Sequence, residues 1–383
     1  MQKERSRSFS VVAHSHLRWD FVWQRPQHIF SRLAAEHPVL FVEEPLIEPG
    51  EPSLRVVEAS PRVVRAIPVL PDRRSADAQC ETVLPLLRRA LATHPLLAGR
   101  FETILQWFYS PMCAPAMIGR LGEIGVVYDC MDELANFRFA PTDIVEREQF
   151  LLSHADVVFT GGASLYDAKS RLHRNVHFFG CGVDVEHFSR ARQADTPVPA
   201  TIAGLPRPVL GYFGVIDERL DYDLIAGLAD RFKDGSIVMA GPLAKVEKSE
   251  LPTQANIHWL GQQPYEALPA LVKGFDVCLM PFALNEATRY INPTKTLEYM
   301  AAGKQVVSTA VPDVVRNFGD VVRIAESHEA FAAQVYKALK NPDPERVARG
   351  IERANGATWD ATVAAMRRHV LDAVNGRLSL AAA

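Results

Sequence analysis

Short β-branched and aromatic runs alternate with segments of helical period along almost the whole chain, and this alternation constrains the fold most. Strands are expected at Phe9–Ala13, Val39–Val42, Thr103–Phe108, Val126–Asp129 and Val157–Thr160, then at Val209–Phe213, Ser236–Ala240, Val277–Pro281 and Gln305–Ser308. Helical spacing appears at Gln27–Glu36, Thr142–Ser153, Tyr222–Phe232, Tyr265–Val272 and Thr294–Ala302. Strands apolar at nearly every position are covered on both faces, which is the pattern of a parallel sheet in an α/β fold.

The Pro-rich stretch Ser189–Pro208 lacks apolar periodicity and reads as a linker. With 383 residues, and roughly 150 per domain as a prior, the chain is expected to hold two doubly wound domains. Their bounds are 1–190 and 205–358, followed by a last segment at 359–383. Ligands of such sheets sit beyond the carboxyl ends of the strands, so both domains are expected to present those ends to a shared cleft. A composition of 48% hydrophobic and 23% charged residues excludes a disordered, collagen-like or coiled-coil chain. The 42 Lys and Arg against 45 Asp and Glu leave a net charge of −3, which argues against a dedicated nucleic-acid binder. No apolar run approaches the roughly 20 residues that span a bilayer, and Met1–Ser8 is basic with no apolar signal core behind it. Cys80, Cys113, Cys130, Cys181 and Cys278 are odd in number and show no CxxC pairing. They are expected to be reduced thiols of a cytoplasmic protein, outside any disulfide or zinc framework.

Four segments carry candidate chemistry. In Asn292-Pro-Thr-Lys-Thr-Leu-Glu298, Asn292 is expected to cap a helix with Pro293 at its first position, and Gly303 to end it. Lys295 then sits against the macrodipole, which makes sense beside a bound anion. Glu298 lies on the same face, placed to accept from a diol such as ribose; a solvent-exposed Lys–Glu pair is the competing reading. In Pro208–Asp223, a strand runs into Gly214, and Arg219 follows where a phosphate would be gripped bidentately. The segment lacks the GxGxxG dinucleotide fingerprint, and Asp221-Tyr-Asp223 reads as a helix start in preference to a metal motif. In Val126–Phe137, a buried strand empties into Asp129, Asp132 and Glu133, any of which is a candidate general base or a turn cap. In His14–His28, His14 and His16 are rival bases, and the aromatics either line a site or brace the interior.

Taken in order, these pieces resemble a GT-B glycosyltransferase of the bacterial polysaccharide type, similar to teichuronic-acid transferases and the xanthan glucuronosyltransferase. The resemblance rests on Trp19…Trp23-Gln-Arg-Pro-Gln-His28, Tyr128-Asp-Cys-Met-Asp132 and Gly182-Val-Asp184…Phe188. It continues through Gly214…Arg219, Gly241-Pro242 and Pro293-x-Lys295-x-x-Glu298-Tyr-x-Ala-x-Gly303. It implies two Rossmann-like domains facing a cleft, with residues 1–190 binding the acceptor and 205–358 the nucleotide-diphosphate sugar. The helix at 359–383 is implied to cross back to the first domain. Donor contacts are implied at Gly214, Arg219, Gly241, Pro293, Thr294, Lys295 and Glu298, with Glu298 on ribose and Lys295 and Arg219 on the diphosphate. Acceptor contacts are assigned to Trp19, Arg25 and Gln27, and Asp132 inherits the role of base, with His14 and His16 as rivals.

Retaining relatives carry a second glutamate eight residues before the one matched by Glu298; here that position is Tyr290, which favours inversion. The expected reaction moves a sugar from a UDP-linked donor to a glycan or lipid-linked acceptor, with no cofactor and no metal. Two alternatives stand beside it: a sugar-nucleotide epimerase of the same fold, and a non-catalytic nucleotide- or carbohydrate-binding protein. The Leu- and Arg-bearing stretch Val83–Arg100 is either an interfacial segment reaching a lipid carrier at the inner leaflet of the membrane or an ordinary core helix.

Overall fold

The structure is a computed structural model that describes residues 9–381; the basic stretch Met1–Ser8 lies outside the described residues, as does the end of the expected 359–383 segment. The chain divides into two units. One gathers the residues up to Gly161, Leu165–Phe179 and the segment from Asp360 onward; the other gathers Gly162–Ser164 and Gly180–Trp359.

Among the described residues the first unit carries a nine-stranded sheet. Its strands are β1 (Ser10–His14), β2 (Val39–Val42), β3 (Leu46–Ile47), β4 (Ser53–Ser60), β5 (Val63–Leu70), β6 (Ile104–Phe108), β7 (Gly125–Cys130), β8 (Val157–Thr160) and β9 (Val176–Phe178). They lie in the order β3-β5-β2-β1-β6-β7-β8-β9, with β4 added antiparallel to β5. The remaining pairs are parallel, as the doubly apolar strands require. The β4–β5 hairpin escapes a sequence reading because Arg55 and Glu58 give β4 a charged outer face and Pro68 interrupts β5.

The second unit has six parallel strands: β10 (Val209–Phe213), β11 (Ser236–Ala240), β12 (Ile257–Gly261), β13 (Val277–Met280), β14 (Val306–Thr309) and β15 (Arg323–Ala325). Their order is β12-β11-β10-β13-β14-β15. In both sheets the chain fills one side and then returns to the other. The order therefore reverses between β1 and β6 in the first and between β10 and β13 in the second, and a crevice opens there at the strands' carboxyl ends.

Two expectations need correction. The Ser189–Pro208 stretch is part of the second unit: Ala191 and Ile202 are buried in its core, and the Lys273 ammonium donates to the carbonyls of Gln193, Ala194 and Thr196. Residues 180–190 join the same unit, where Val183 bridges Thr358 and Phe188 stacks on Phe213. The Val83–Arg100 stretch spends its leucines on the core. It forms the end of helix Ala76–Thr93 and the turn after it, with Leu87 and Leu97 packed beside Val12 and Leu40. Pro85 faces outward, and Arg88 donates to the Arg120 carbonyl, in keeping with the core-helix alternative. None of the described helices is long and apolar enough to cross a membrane. The last helix, Trp359–Ala381, buries Val363, Met366, Val370 and Val374 at helical spacing, and Arg25 donates to the sulfur of Met366 within the first unit.

Candidate functional site

The second unit's reversal point is built around a close approach of two turns. Strand β10 ends at Phe213, and Gly214 follows with φ +147°, in a region that L side chains avoid. A Cβ on Gly214 would collide with Lys295 Cε, and one on Gly241 would collide with the Gly214 carbonyl. Both glycines are therefore there for space, which lets the lysine stem lie directly against the β10 turn. Tyr299 fixes that turn from below, its hydroxyl accepting the Phe213 N–H at 3.0 Å.

The helix that carries the lysine starts later than expected. It spans Lys295–Ala301 with Thr294 as N-cap, so Asn292 is no cap and Pro293 lies before the first turn. The Asn292 carbonyl instead accepts the Cys181 thiol at 3.2 Å, and the Pro293 carbonyl accepts the Thr296 N–H at 3.2 Å. Gly303 does end the helix, at φ +72°. Lys295 is thus in the first turn itself, where the Thr296, Leu297 and Glu298 N–H groups already bond the Pro293 and Thr294 carbonyls. Burial pushes its pKa below the ordinary lysine value, and Arg219 adds to the shift against the pull of Glu298.

Glu298 is buried, and its Oε2 has no hydrogen-bond partner. Burial raises its carboxyl to about 7, against the opposing effects of Lys295 and a hydrogen bond from Thr294. An acceptor left open inside the protein costs roughly 1–3 kcal/mol, which a donor on a ligand would offset. Arg219 is placed beside the turn as expected, but its fork is already engaged: Nε and Nη2 reach the Asp217 carboxylate at 3.0 and 2.6 Å. Asp217 offsets that charge, so Lys295 is the main cation of the site. Asp221 caps helix Tyr222–Arg231 by accepting the Leu224 N–H at 2.8 Å.

The first unit's reversal point holds a pocket of about 570 Å³, open mouth included, whose lining takes in His14, His16, Glu43, Cys80, Met112 and Cys113. His14 is buried, stacks on Phe108 and bonds Gln106 Oε1 through Nε2 at 2.8 Å. Burial lowers its pKa to about 4, so it is a neutral ring at working pH. His16 lines the same pocket. The three residues assigned to the acceptor are interior instead. Trp19 packs on Phe41, and Gln27 is fully buried with Nε2 donating to the Trp19 carbonyl at 2.9 Å. Arg25 forms a buried ion pair with Asp129 at 2.9 Å and also donates to the Phe179 carbonyl. Their aromatic and cationic character suggested a ligand; it serves packing and one internal charge pair. Asp129 is thereby removed from the candidate bases. Asp132, two residues beyond β7, is partly buried, and its carbonyl accepts the Cys130 thiol at 3.5 Å.

The fold has known counterparts. Across 98% of the chain the fold matches sucrose-phosphate synthase from Thermosynechococcus elongatus, over 100% of that chain, at TM-score 0.69 and 15% identity. It likewise matches an α,α-trehalose-phosphate synthase (UDP-forming) from Burkholderia xenovorans, over 94% of this chain and 99% of that one, at TM-score 0.67 and 14% identity. The fold is GT-B, with a parallel sheet in each of two domains. Residues 207–341 match the model of the family described as Glycosyl transferases group 1, and the matched stretch contains Gly214, Lys295 and Glu298. A Bacillus subtilis (strain 168) protein named as a teichuronic acid biosynthesis glycosyltransferase, TuaH, is 27% identical over 261 residues, 64% of this chain. The chain covers 62% of that relative's length.

Proposed function

We propose that this protein is a glycosyltransferase that moves a sugar from a UDP-linked donor to a hydroxyl of a glycan or lipid-linked acceptor in cell-surface polysaccharide synthesis. One observation carries the reading: in the stretch that matches the group 1 family, a buried carboxylate with an open acceptor, Glu298, lies one helical turn from Lys295, whose stem is laid against the Gly214 turn. In this assignment Glu298 accepts from the ribose hydroxyls and the Lys295 ammonium holds the diphosphate. UDP is favoured by the similarity to a UDP-forming synthase, and the polysaccharide role by the teichuronic acid relative.

The proposed chemistry adds Asp132 to these residues. Asp132 takes the acceptor proton, the acceptor oxygen attacks the anomeric carbon from the face opposite the nucleotide, and the bond to the diphosphate breaks with inversion. Lys295 meets the charge that develops on the departing diphosphate, the part a metal ion would otherwise play. A lipid-linked acceptor places the work at the cytoplasmic face of the membrane, with contact made through the acceptor.

Incubation with a panel of UDP- and GDP-sugars, with and without acceptor lipid, tests the reading by nucleotide release. The expected result is acceptor-dependent release of UDP that Asp132→Asn abolishes while donor binding persists. Donor conversion without acceptor would assign an epimerase, and binding without release a non-catalytic protein; either outcome overturns the proposal.

A further inference from the structure

Behind the loop that carries Asp132 lies a polar cluster that the reaction as written does not use. Lys169, the last residue of helix Ala163–Lys169, is buried, its side chain 3% exposed. Its ammonium reaches Glu133 Oε2 at 2.8 Å and Glu148 Oε2 at 2.7 Å. Glu148, on helix Ile144–His154, also accepts the Tyr128 hydroxyl of β7 at 2.7 Å. A strand, the loop after it and two helices therefore converge on one ammonium.

Stability alone is a poor account of this arrangement. Burying three charged groups costs several kcal/mol per ion, and apolar side chains of the same volume commonly do as well or better. The cluster is also unbalanced, with one lysine against two carboxylates. Burial and the nearby Glu148 push the Glu133 carboxyl up, while Lys169 pulls it back. Such a network delivers direction: fixed donors and acceptors at 2.7–2.8 Å set the orientation of the backbone they hold. The segment held is Glu133, next to Asp132, whose own carbonyl accepts the Cys130 thiol.

We infer that Lys169 is a positioning residue: by tying Glu133 to Glu148 it holds the strand-end loop so that the Asp132 carboxylate points at the acceptor hydroxyl. The inference rests on the reading of Asp132 as base. A displacement of about 1 Å at a reacting group costs on the order of 100-fold in rate, so loss of the tie should reach turnover before it reaches donor binding.

The test compares Glu133→Gln, Lys169→Met, the double variant and Asp132→Asn, measuring kcat, donor KM and the stoichiometry of UDP binding by calorimetry. Glu133→Gln keeps the side-chain volume and the Lys169–Glu148 pair, so it serves if Lys169→Met fails to fold. The expected result is a fall in kcat of about 10- to 100-fold in each single variant, with donor KM and binding stoichiometry kept. The double variant should fall no further than Lys169→Met, because both remove one link. Wild-type kcat in Glu133→Gln and Lys169→Met, with Asp132→Asn inactive, would overturn the inference and leave the base assignment standing. So would a fall in UDP stoichiometry in step with kcat, which would mark a structural role. Abolition by Glu133→Gln as complete as by Asp132→Asn would make Glu133 itself the base. Full turnover in Asp132→Asn would remove the base assignment and this inference with it.

Discussion

The open carboxylate of Glu298 should be visible in the stability of the protein as well as in its ligand binding. Burial raises its pKa from the ordinary 4.5 to about 7 in the folded state. Between those values the folded protein holds a proton that the unfolded chain has released, so stability falls as pH rises through the window. The full swing, 2.5 pKa units between the two printed values, at 1.36 kcal/mol each, amounts to about 3 kcal/mol. Glu298→Gln removes the swing but leaves Lys295 without its carboxylate, so the net gain at high pH is smaller, about 1–2 kcal/mol. Urea denaturation of both proteins at pH 5 and pH 8 checks this, since contributions from other groups cancel in the difference. The variant should match or fall below wild type at pH 5 and exceed it at pH 8. A difference that stays constant across the window would refute the argument, because the Glu298 carboxyl would then have the same pKa folded and unfolded. The stability gained should cost function: UDP should bind about 10- to 100-fold more weakly to Glu298→Gln, by the loss of a charge-assisted hydrogen bond.

Other consequences are equally direct. Arg25→Met should destabilise the first unit by about 3–5 kcal/mol, because Asp129 is left charged and buried; a urea midpoint equal to wild type would contradict the ion pair. Gly214→Ala should leave the fold intact but displace the Lys295 side chain, weakening UDP binding at least 10-fold by calorimetry, the scale of one charge-assisted hydrogen bond. His14 should stay neutral down to pH 5 by imidazole NMR, given its pKa of about 4, and the activity profile from pH 5 to 8 should show no inflection that His14→Gln removes.

Much of the architecture was legible because burial writes itself into composition. Each of the nine expected strands overlaps a strand of the structure, since a strand covered on both faces must be apolar throughout. The short edge strands β3, β9 and β15 and the charged β4 carry no such mark. In the second unit, the close approach of Gly214, Lys295 and Glu298 was readable because a glycine turn, a misplaced cation and a carboxylate at helical spacing are local features. The first unit misled where residue type outran context. Trp19, Arg25 and Gln27 have the chemistry of a binding loop, but only the packing of β7 against Arg25 shows that its partner is Asp129. Lys169 carried no local signal, because its two partners lie 36 and 21 positions away in the chain.

The claim on which the account turns is that Lys295 and Glu298 divide a nucleotide between them, and calorimetric titration with UDP and with uridine tests it most directly. Lys295→Met should weaken UDP binding at least 10-fold and leave uridine binding unchanged, since the ammonium meets only the diphosphate. Glu298→Gln should weaken UDP and uridine by the same factor, since the carboxylate meets only the ribose. Wild-type protein that gives no heat with UDP, or a Lys295→Met variant that binds UDP as tightly as wild type, would contradict it.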